Sequence, residues 1–238
     1  MVGKTNSVLP EIIDFIKSIP TKEYQALEYL ESDGLSYIDT KLRSHSNMTA
    51  ELKFEFTTVP KDGCLVGCRH TSQQQGEGKS RLYFYHYYQG HKLGYGMYLG
   101  KGTAEKGKIY HVKTRLDQGH QYMYLDGSLA FEGFDDYYID NIETFYIFAL
   151  NDGNIPATTD EASLTRETTF YTQARLYFLK IWDEEKLVRN YIPVRRIEDN
   201  TLGLYDMLNR VFYTNSGTGN FIGGPDVNNI VISNNNKV

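Results

Sequence analysis

The sequence predicts an all-β protein, a two-sheet antiparallel β-sandwich preceded by a short N-terminal helix. Aromatic residues make up 14% of the 238 residues, with 20 tyrosines and a single tryptophan, and tyrosine is enriched in strands. After Thr21 the apolar and polar residues mostly alternate, which is the two-residue period of a half-buried strand. Short alternating runs separated by Gly, Asn and Asp favour a sandwich or a barrel.

Composition and charge exclude several classes of partner. The formal net charge of −5 argues against nucleic acid, because phosphate contacts need a dense basic surface. The longest apolar run, residues 144–150, is far shorter than the roughly 20 residues that span a bilayer. We therefore expect no membrane insertion, and the first residues also lack the pattern of a secretory signal.

The opening segment, residues 1–21, differs from the rest and predicts one helix. Pro10 suits a first helical position and Pro20 ends the pattern. Its apolar residues share one helical face: Ile12, Ile13, Ile16 and Ile19. The helix either docks the protein on a larger assembly or packs on its own domain.

The main domain is predicted over residues 22–224, and its first strands are the clearest. The run "MTAELKFEF" alternates strictly, and "CLVGC" reads as a short buried strand. Cys64 and Cys68 would share one face of that strand, about 13 Å apart at ~3.3 Å per residue. A disulfide needs a shorter separation, so we expect two buried free thiols.

The middle of the chain predicts a hairpin and then a meander. "SRLYFYHYYQG" and "KLGYGMYLG" would pair through residues 89–91. Asp126 and Gly127 favour a two-residue type I′ turn between later strands. At least three more strands follow, around a long loop at residues 151–167, and residues 225–238 form a polar tail that is either a linker or a contact arm.

Three segments resemble the concanavalin A-like, laminin-G-like jelly-roll domains, in the versions found in tailed phages and gut bacteria. They are "YLESDGLSYIDTKL", "YMYLDGSLAF" and "ARLYFLKIWDEEKLVRNYIPVRRIEDNTLGLYDMLNRVFYTNSGTG". The resemblance covers residues 28–221 and implies that the first and last strands meet. Residues 203–219 would then form a closing ribbon with Leu204 and Tyr205 inside, and residues 216–219, with their two glycines, would cap it.

A tyrosine-rich strand is the predicted ligand-binding site. Alternation in "SRLYFYHYYQG" places Leu82, Phe84, His86 and Tyr88 on one face. The opposite face would bind a glycan or cell-surface polysaccharide through Arg81, Tyr83, Tyr85, Tyr87 and Gln89, together with Tyr98 of the next strand. Sugar rings stack on aromatic faces while their hydroxyls need polar partners. The alternatives are that tyrosine is here only a good strand residue, or that another chain covers this face.

A calcium ion is the only cofactor that the sequence leaves open. The resemblance implies a rim site, for which Asn151, Asp152 and Asn154 could supply oxygen ligands, assisted by Asp39. The alternative is that these residues only form turns. The six histidines show no ligand spacing.

Catalysis is not expected. The carboxylate motif common in hydrolases of this fold is absent, and Glu51 and Glu55 lie about 13 Å apart on one strand at ~3.3 Å per residue. Glycosidases need a closer pair, about 5–10 Å apart. There is also no Gly-x-Ser-x-Gly elbow.

The sequence therefore predicts a lectin-like, non-catalytic recognition module, displayed on a phage virion (tail, fibre or capsid surface) or on a bacterial surface for host attachment. Its N-terminal helix and C-terminal tail would contact other virion or surface proteins, and a homo-oligomer is left open. One alternative is a purely structural virion decoration or assembly protein. Another is a glycoside hydrolase of the same fold.

Overall fold

The fold is all-β, as predicted. The computed structural model describes residues 23–45, 47–59, 63–69, 81–87, 91–95, 103–117, 119–134, 140–152, 155–156 and 170–232. Within these ranges every regular element is a strand, and the strands form two sheets. The predicted N-terminal helix lies outside the described residues. No helix in the described ranges could cross a bilayer.

In chain order the strands are β1 (Tyr24–Leu27), β2 (Leu30–Ser32), β3 (Ile38–His45), β4 (Met48–Phe56), β5 (Gly63–Arg69), β6 (Arg81–Tyr87), β7 (His91–Tyr95), β8 (Ile109–Asp117), β9 (His120–Leu125), β10 (Ser128–Phe134), β11 (Asp140–Ile147), β12 (Leu150–Asp152), β13 (Ile155–Pro156), β14 (Ala174–Asp183), β15 (Lys186–Arg196), β16 (Leu202–Asp206), β17 (Val211–Thr214), β18 (Phe221–Gly223) and β19 (Asp226–Ile232).

The large sheet follows the order β10-β9-β8-β4-β14-β15-β1-β19, with β16 and β17 added beside β15 and with β2 and β18 beside β14. The small sheet follows the order β13-β12-β5-β11-β3, with β6 and β7 beside β5. Among the described pairs, β12 and β5 run parallel. The β6–β7 hairpin and the β8–β9–β10 meander are confirmed. Asp126 and Gly127 have φ angles of 50° and 80°, which fits the predicted turn.

The core lies between the two sheets, and β4 shows how the sequence builds it. Its alternate residues are all buried: Met48, Ala50, Leu52, Phe54 and Phe56. The Phe54 ring meets the Tyr85 ring of the small sheet at 4.6 Å between centroids. On the small sheet Phe84 stacks on Phe145 at 4.5 Å. Burying one such side chain contributes about 1.5–3 kcal/mol, so this inner layer dominates the stability of the sandwich.

The two ends of the described chain meet, as the resemblance implied. β1 pairs with β19, and β2 pairs with β18. The sequence assigned residues 225–238 to a polar tail, but residues 226–232 form a sheet strand. This strand is hard to recognise in the sequence because it contains asparagines and an aspartate, which are poor strand formers. Pairing with β1 supplies the backbone hydrogen bonds that hold it in place.

The closing ribbon is confirmed. β16 and β17 form a hairpin around residues 207–210, and Leu204 and Tyr205 are both buried, in different clusters. Gly203 allows this close pairing, because a Cβ there would lie 2.2 Å from the Tyr213 carbonyl oxygen. Gly217 is needed for the same reason beside the Leu35 carbonyl oxygen, also at 2.2 Å.

Asp33 ties the loop after β2 to the loop before β18. Its carboxylate accepts the backbone N–H groups of Leu35, Ser36 and Asn220, the last at 2.7 Å. Burial would raise the pKa of this carboxyl, but the N–H donors, led by Asn220, together lower it below its ordinary value. Gly219 permits the contact, because a Cβ there would lie 2.3 Å from the Asp33 oxygen.

Candidate functional site

The two central tyrosines of the predicted binding face of β6 are buried. Tyr85 is 0% exposed and belongs to the main core, while Tyr83 is 3% exposed. Neither ring can meet a ligand from solvent, so the ligand-binding prediction is wrong for these two residues. Tyr87 is half-buried and packs on the core, 6.0 Å from the Phe56 ring. The side chains of Arg81, Gln89 and Tyr98 lie outside the described part, and their role stays a prediction.

Two register shifts between β5 and β6 explain this error. The paired residues are Cys64 with His86, Val66 with Tyr85, Gly67 with Tyr83, and Cys68 with Leu82. Residues that are directly opposed in an antiparallel pair share a face. Tyr85 therefore points into the core with Val66, while Tyr83 points outward with Gly67. Strict alternation assigned both tyrosines to one face, because it assumes a strand without bulges.

The outer side of the small sheet is covered at this point. Tyr83 packs there with Cys64, Leu150 and Phe170. Arg69 lies 5.1 Å from the Phe170 ring centroid. Among the described side chains of this strand, Tyr83 and Tyr85 therefore form no open row for a sugar.

The two cysteines are free and buried, as predicted. They do not share a face: Cys64 lies in the outer cluster and Cys68 in the main core. Burial raises the pKa of Cys68 to about 12 and also raises that of Cys64. Neither thiol is therefore a nucleophile near neutral pH.

The residues of the predicted calcium site have other partners. Asn151 is buried, and its side-chain amide donates to the Thr144 carbonyl oxygen at 2.8 Å. Asp152 forms an ion pair with Arg69 at 3.0 Å. Asp39 accepts a hydrogen bond from the Thr144 hydroxyl at 2.9 Å. Asn154 lies outside the described residues, and the calcium site stays a prediction.

A different open face carries aromatic rings: the outer side of the large sheet. Leu176 pairs with core residue Phe54, and Phe178 pairs with Lys53, so Tyr177 is the extra residue of a β-bulge. The bulge places Tyr177 and Phe178 together on the outer side, where both are half-buried. Tyr29 lies edge-on to Tyr177, with 5.9 Å between ring centroids. We call Tyr29, Tyr177 and Phe178 the outer aromatic strip.

Arg175 and two glutamates hold the strip in place. The Arg175 guanidinium bonds Glu31 at 2.7 Å and approaches Glu55 at 3.4 Å. The Tyr177 hydroxyl donates to Glu55 at 2.9 Å. The pKa of Tyr177 is raised, mainly by burial and secondly by this hydrogen bond to Glu55. The hydrogen bond to Glu31 raises the pKa of Arg175.

Each ring of the strip has a cation over it. Arg175 lies 4.6 Å from the Tyr29 centroid, and Lys53 lies 5.5 Å from that of Tyr177. The Lys180 ammonium lies 5.5 Å from the Phe178 centroid. Such contacts are worth about 0.5–1 kcal/mol at exposed sites. A ligand can therefore displace the flexible lysines at little cost.

The carboxylates of this face are engaged in pairs. Glu51 contacts His111 at 2.7 Å, and Glu55 is bonded to Arg175 and Tyr177. In the described part of the chain, no group of three or more His, Cys, Asp or Glu side chains is placed to hold a metal ion. The arrangement of rings and fixed polar groups is suited to binding.

A shallow polar pocket of about 380 Å³ lies beside the closing ribbon. It is lined by Asn200, Thr201, Leu202, Thr214, Asn215, Asn220 and Phe221. Asn215 is structural, because its amide accepts from Tyr37 and Gly217 and donates to Gly219. This pocket contains no charged side chain and adjoins the ribbon that the sequence assigned to architecture.

Sequence reasoning missed the strip although a signal was present. The tetrapeptide Arg-Leu-Tyr-Phe occurs twice, at residues 81–84 and 175–178, and the sequence predicts a binding face only at the first copy. In the second copy Leu176 and Leu179 are both buried. Two buried residues three apart break the two-residue period, which indicates a bulge between them.

No protein-family model matches the chain, and no curated protein matches it. Solved structures do. The first is a protein from Bacteroides ovatus assigned provisionally to carbohydrate binding, with 15% identity and a TM-score of 0.51. It covers 86% of this chain, and this chain covers 61% of it. At this identity the likeness shows the fold alone.

Two further solved structures are weaker matches, with TM-scores below 0.5. Domains LG4-5 of the mouse laminin α1 chain have 12% identity and a TM-score of 0.44, over 77% of this chain and 48% of that one. The other is domain 4 of AbnA, a GH43 extracellular arabinanase from Geobacillus stearothermophilus, in complex with arabinotriose. It has 13% identity and a TM-score of 0.37, and the match covers 69% of this chain and 83% of that one. The two-sheet architecture is that of a concanavalin A-like, laminin-G-like β-sandwich, as the resemblance predicted.

Proposed function

We propose that this protein is a non-catalytic carbohydrate-recognition module and that the outer aromatic strip is its binding face. The observation that carries this proposal is the bulge in β14. It sets Tyr177 and Phe178 side by side on an open sheet face, next to the bonded pair of Arg175 and Glu55.

The chemistry of sugars fits such a face. Their C–H surfaces stack on aromatic rings, and their hydroxyls bond to planar groups such as carboxylates and guanidinium. Here the planar groups are held by one another before any ligand arrives, as Glu55 is by Arg175 and Tyr177. Side chains that are already ordered lose less conformational entropy on binding. The carbohydrate assignment of the Bacteroides ovatus protein with the same fold supports the proposal.

The setting of the module is also a proposal. The resemblance to domains of tailed phages and gut bacteria supports display on a phage virion or on a bacterial surface. Particles purified from the producing strain, probed with an antibody against this chain, would test the setting directly.

Replacing Tyr177 by alanine should weaken glycan binding by a factor of about 5 to 150, since one lost aromatic stacking contact is worth about 1–3 kcal/mol where it has been measured on nucleic-acid bases. A glycan array identifies the sugar, and calorimetry on the hit measures the change. Tyr177→Phe keeps the ring and should retain most of the affinity.

Tyr171→Ala is the matched control, because Tyr171 is a half-buried tyrosine that contacts Tyr37 beside the small sheet. Binding that survives in Tyr177→Ala, or is lost only in Tyr171→Ala, would move the site away from the strip. If the wild-type protein binds no glycan on the array, the proposal is overturned.

A second candidate function is structural assembly, and the edge strand β10 favours it. Leu129 and Phe134 are 51% and 54% exposed on this strand, which pairs only with β9 among the described residues. Exposed edges of this kind pair with strands of other chains.

If a second copy binds there, the wild-type protein should form dimers in light scattering at rising concentration. Leu129→Lys should remove them, because burying an unpaired ammonium in the interface is costly. The matched substitution Leu208→Lys, at an exposed turn, should leave the dimers intact. A wild-type protein that remains monomeric at every concentration contradicts this candidate.

A further inference from the structure

The outer side of the large sheet carries lysines whose charge is not used within the protein. Lys53 and Lys180 lie over the rings of Tyr177 and Phe178, and Lys113 is exposed on the adjacent β8. Within the ranges that the structure describes, none of these three lysines is in an ion pair. This is unexpected in a chain whose formal net charge is −5.

The carboxylates that could neutralise these lysines have other partners. Glu55 and Glu31 are bonded to Arg175, and Glu51 is bonded to His111 at 2.7 Å. Glu51 stands between Lys113 and Lys180 in the sheet register, so the three residues form a row across β14, β4 and β8. Neighbouring strands are about 4.8 Å apart, which puts the two lysines about 10 Å apart.

The position of the lysines relative to the rings favours one class of sugar, although a ligand can displace them at little cost. A sugar that stacks on Tyr177 or Phe178 must approach the ammonium group that already lies over that ring. A neutral sugar has to displace the lysine. A sugar with a carboxylate forms an ion pair with the same lysine and stacks on the ring beside it.

From this arrangement we infer that the ligand is an anionic polysaccharide, of the uronic-acid class, bound across β14, β4 and β8 by Lys53, Lys113 and Lys180. The inference rests on the proposed function and narrows it to one class of glycan. The rings give contact area, and Lys113 and Lys180, on either side of Glu51, fix the register of a chain of carboxylates.

The test compares uronate polymers with neutral ones, namely polygalacturonate and alginate against galactan and dextran of matched length. Calorimetry should show about ten-fold tighter binding to a uronate polymer, which lies within the range that three exposed ion pairs together contribute. Raising the salt from about 50 mM to about 500 mM should remove most of this preference through screening.

The variant Lys53→Gln/Lys113→Gln/Lys180→Gln should lose the preference for uronate, and the corresponding triple arginine variant should keep it. The matched control is Lys41→Gln/Lys106→Gln/Lys186→Gln, which removes the same charge from other exposed positions. Loss of binding in this control as well would mean non-specific attraction and would overturn the inference.

The outcomes also separate the two proposals. Equal or tighter binding of the neutral polymers, abolished by Tyr177→Ala, overturns the anionic class and leaves the carbohydrate function in place. Absence of binding to all four polymers and to a glycan array overturns the carbohydrate function, and the inference with it.

Discussion

Tyr85→Ala should lower the free energy of unfolding by about 3–5 kcal/mol, the usual cost of removing a fully buried aromatic ring. Tyr85 is 0% exposed, and its ring lies 4.6 Å from that of Phe54 on the opposite sheet. The truncation leaves a cavity between the two sheets that the strands around it cannot close. Urea unfolding followed by tryptophan fluorescence or circular dichroism measures the change.

Two variants control this experiment. Tyr85→Phe keeps the ring and should retain most of the stability. Tyr124→Ala removes a tyrosine that is 36% exposed on β9 and should change the stability by less than about 0.5 kcal/mol. If Tyr85→Ala were as stable as the wild type and had lost only glycan binding, Tyr85 would be a ligand-binding residue and the register of β6 against β5 would be wrong.

The contrast between β4 and β6 shows what alternation can and cannot predict. In β4 every second residue from Met48 to Phe56 is buried, and the sequence predicts the strand to the residue. In β6 the same rule fails because bulges against β5 change the face of Tyr85 relative to Tyr83. A bulge adds one residue to one strand of a pair, and its position depends on the partner strand, which a single sequence does not specify.

Turns and chain closure were more accessible to prediction. Asp126 and Gly127 have the positive φ angles that their residue types allow, and this is a local property. The closing ribbon came from resemblance, and its glycines have a spatial cause: the neighbouring carbonyl oxygens leave no room for a Cβ at Gly203. The strand at residues 226–232 was missed, because its polar residues pair with β1 from the far end of the sequence.

The candidate site was missed for the same physical reason as the face of β6. Tyr177 reaches the open surface only because of a bulge against β4, and Arg175 becomes a fixed polar group only through Glu31 and Glu55 on other strands. These partners are 144 and 120 residues away in the chain. Composition could predict that tyrosines form the candidate binding site, whereas only the sheet register identifies which tyrosines reach solvent.

Asp206→Ala should cost about 3–5 kcal/mol of unfolding free energy, as expected when one partner of a buried charged network is removed. Asp206 is 0% exposed and ends β16 at the turn of the closing ribbon. One carboxylate oxygen accepts the backbone N–H groups of Asn190 and Leu208 at 3.0 and 3.1 Å. The other accepts the Asn209 amide at 2.6 Å and faces Arg189 at 3.6 Å. Alanine would remove the acceptor of both backbone N–H groups and the negative charge that faces Arg189, whereas the Asn209 amide would keep the Val188 carbonyl oxygen.

Asp206→Asn tests which part of the network matters, because it keeps an oxygen for the backbone donors and removes the charge that faces Arg189. The free energy of unfolding of this variant, measured in urea, should lie between those of the wild type and Asp206→Ala. Asp199→Ala is the matched control: this aspartate also organises a turn and bonds an arginine, Arg196, but at an exposed site, where such pairs contribute about 0–1 kcal/mol. Similar stabilities of the Asp206 and Asp199 alanine variants would mean that the ribbon is held by strand pairing alone, and that the buried carboxylate does not order its turn.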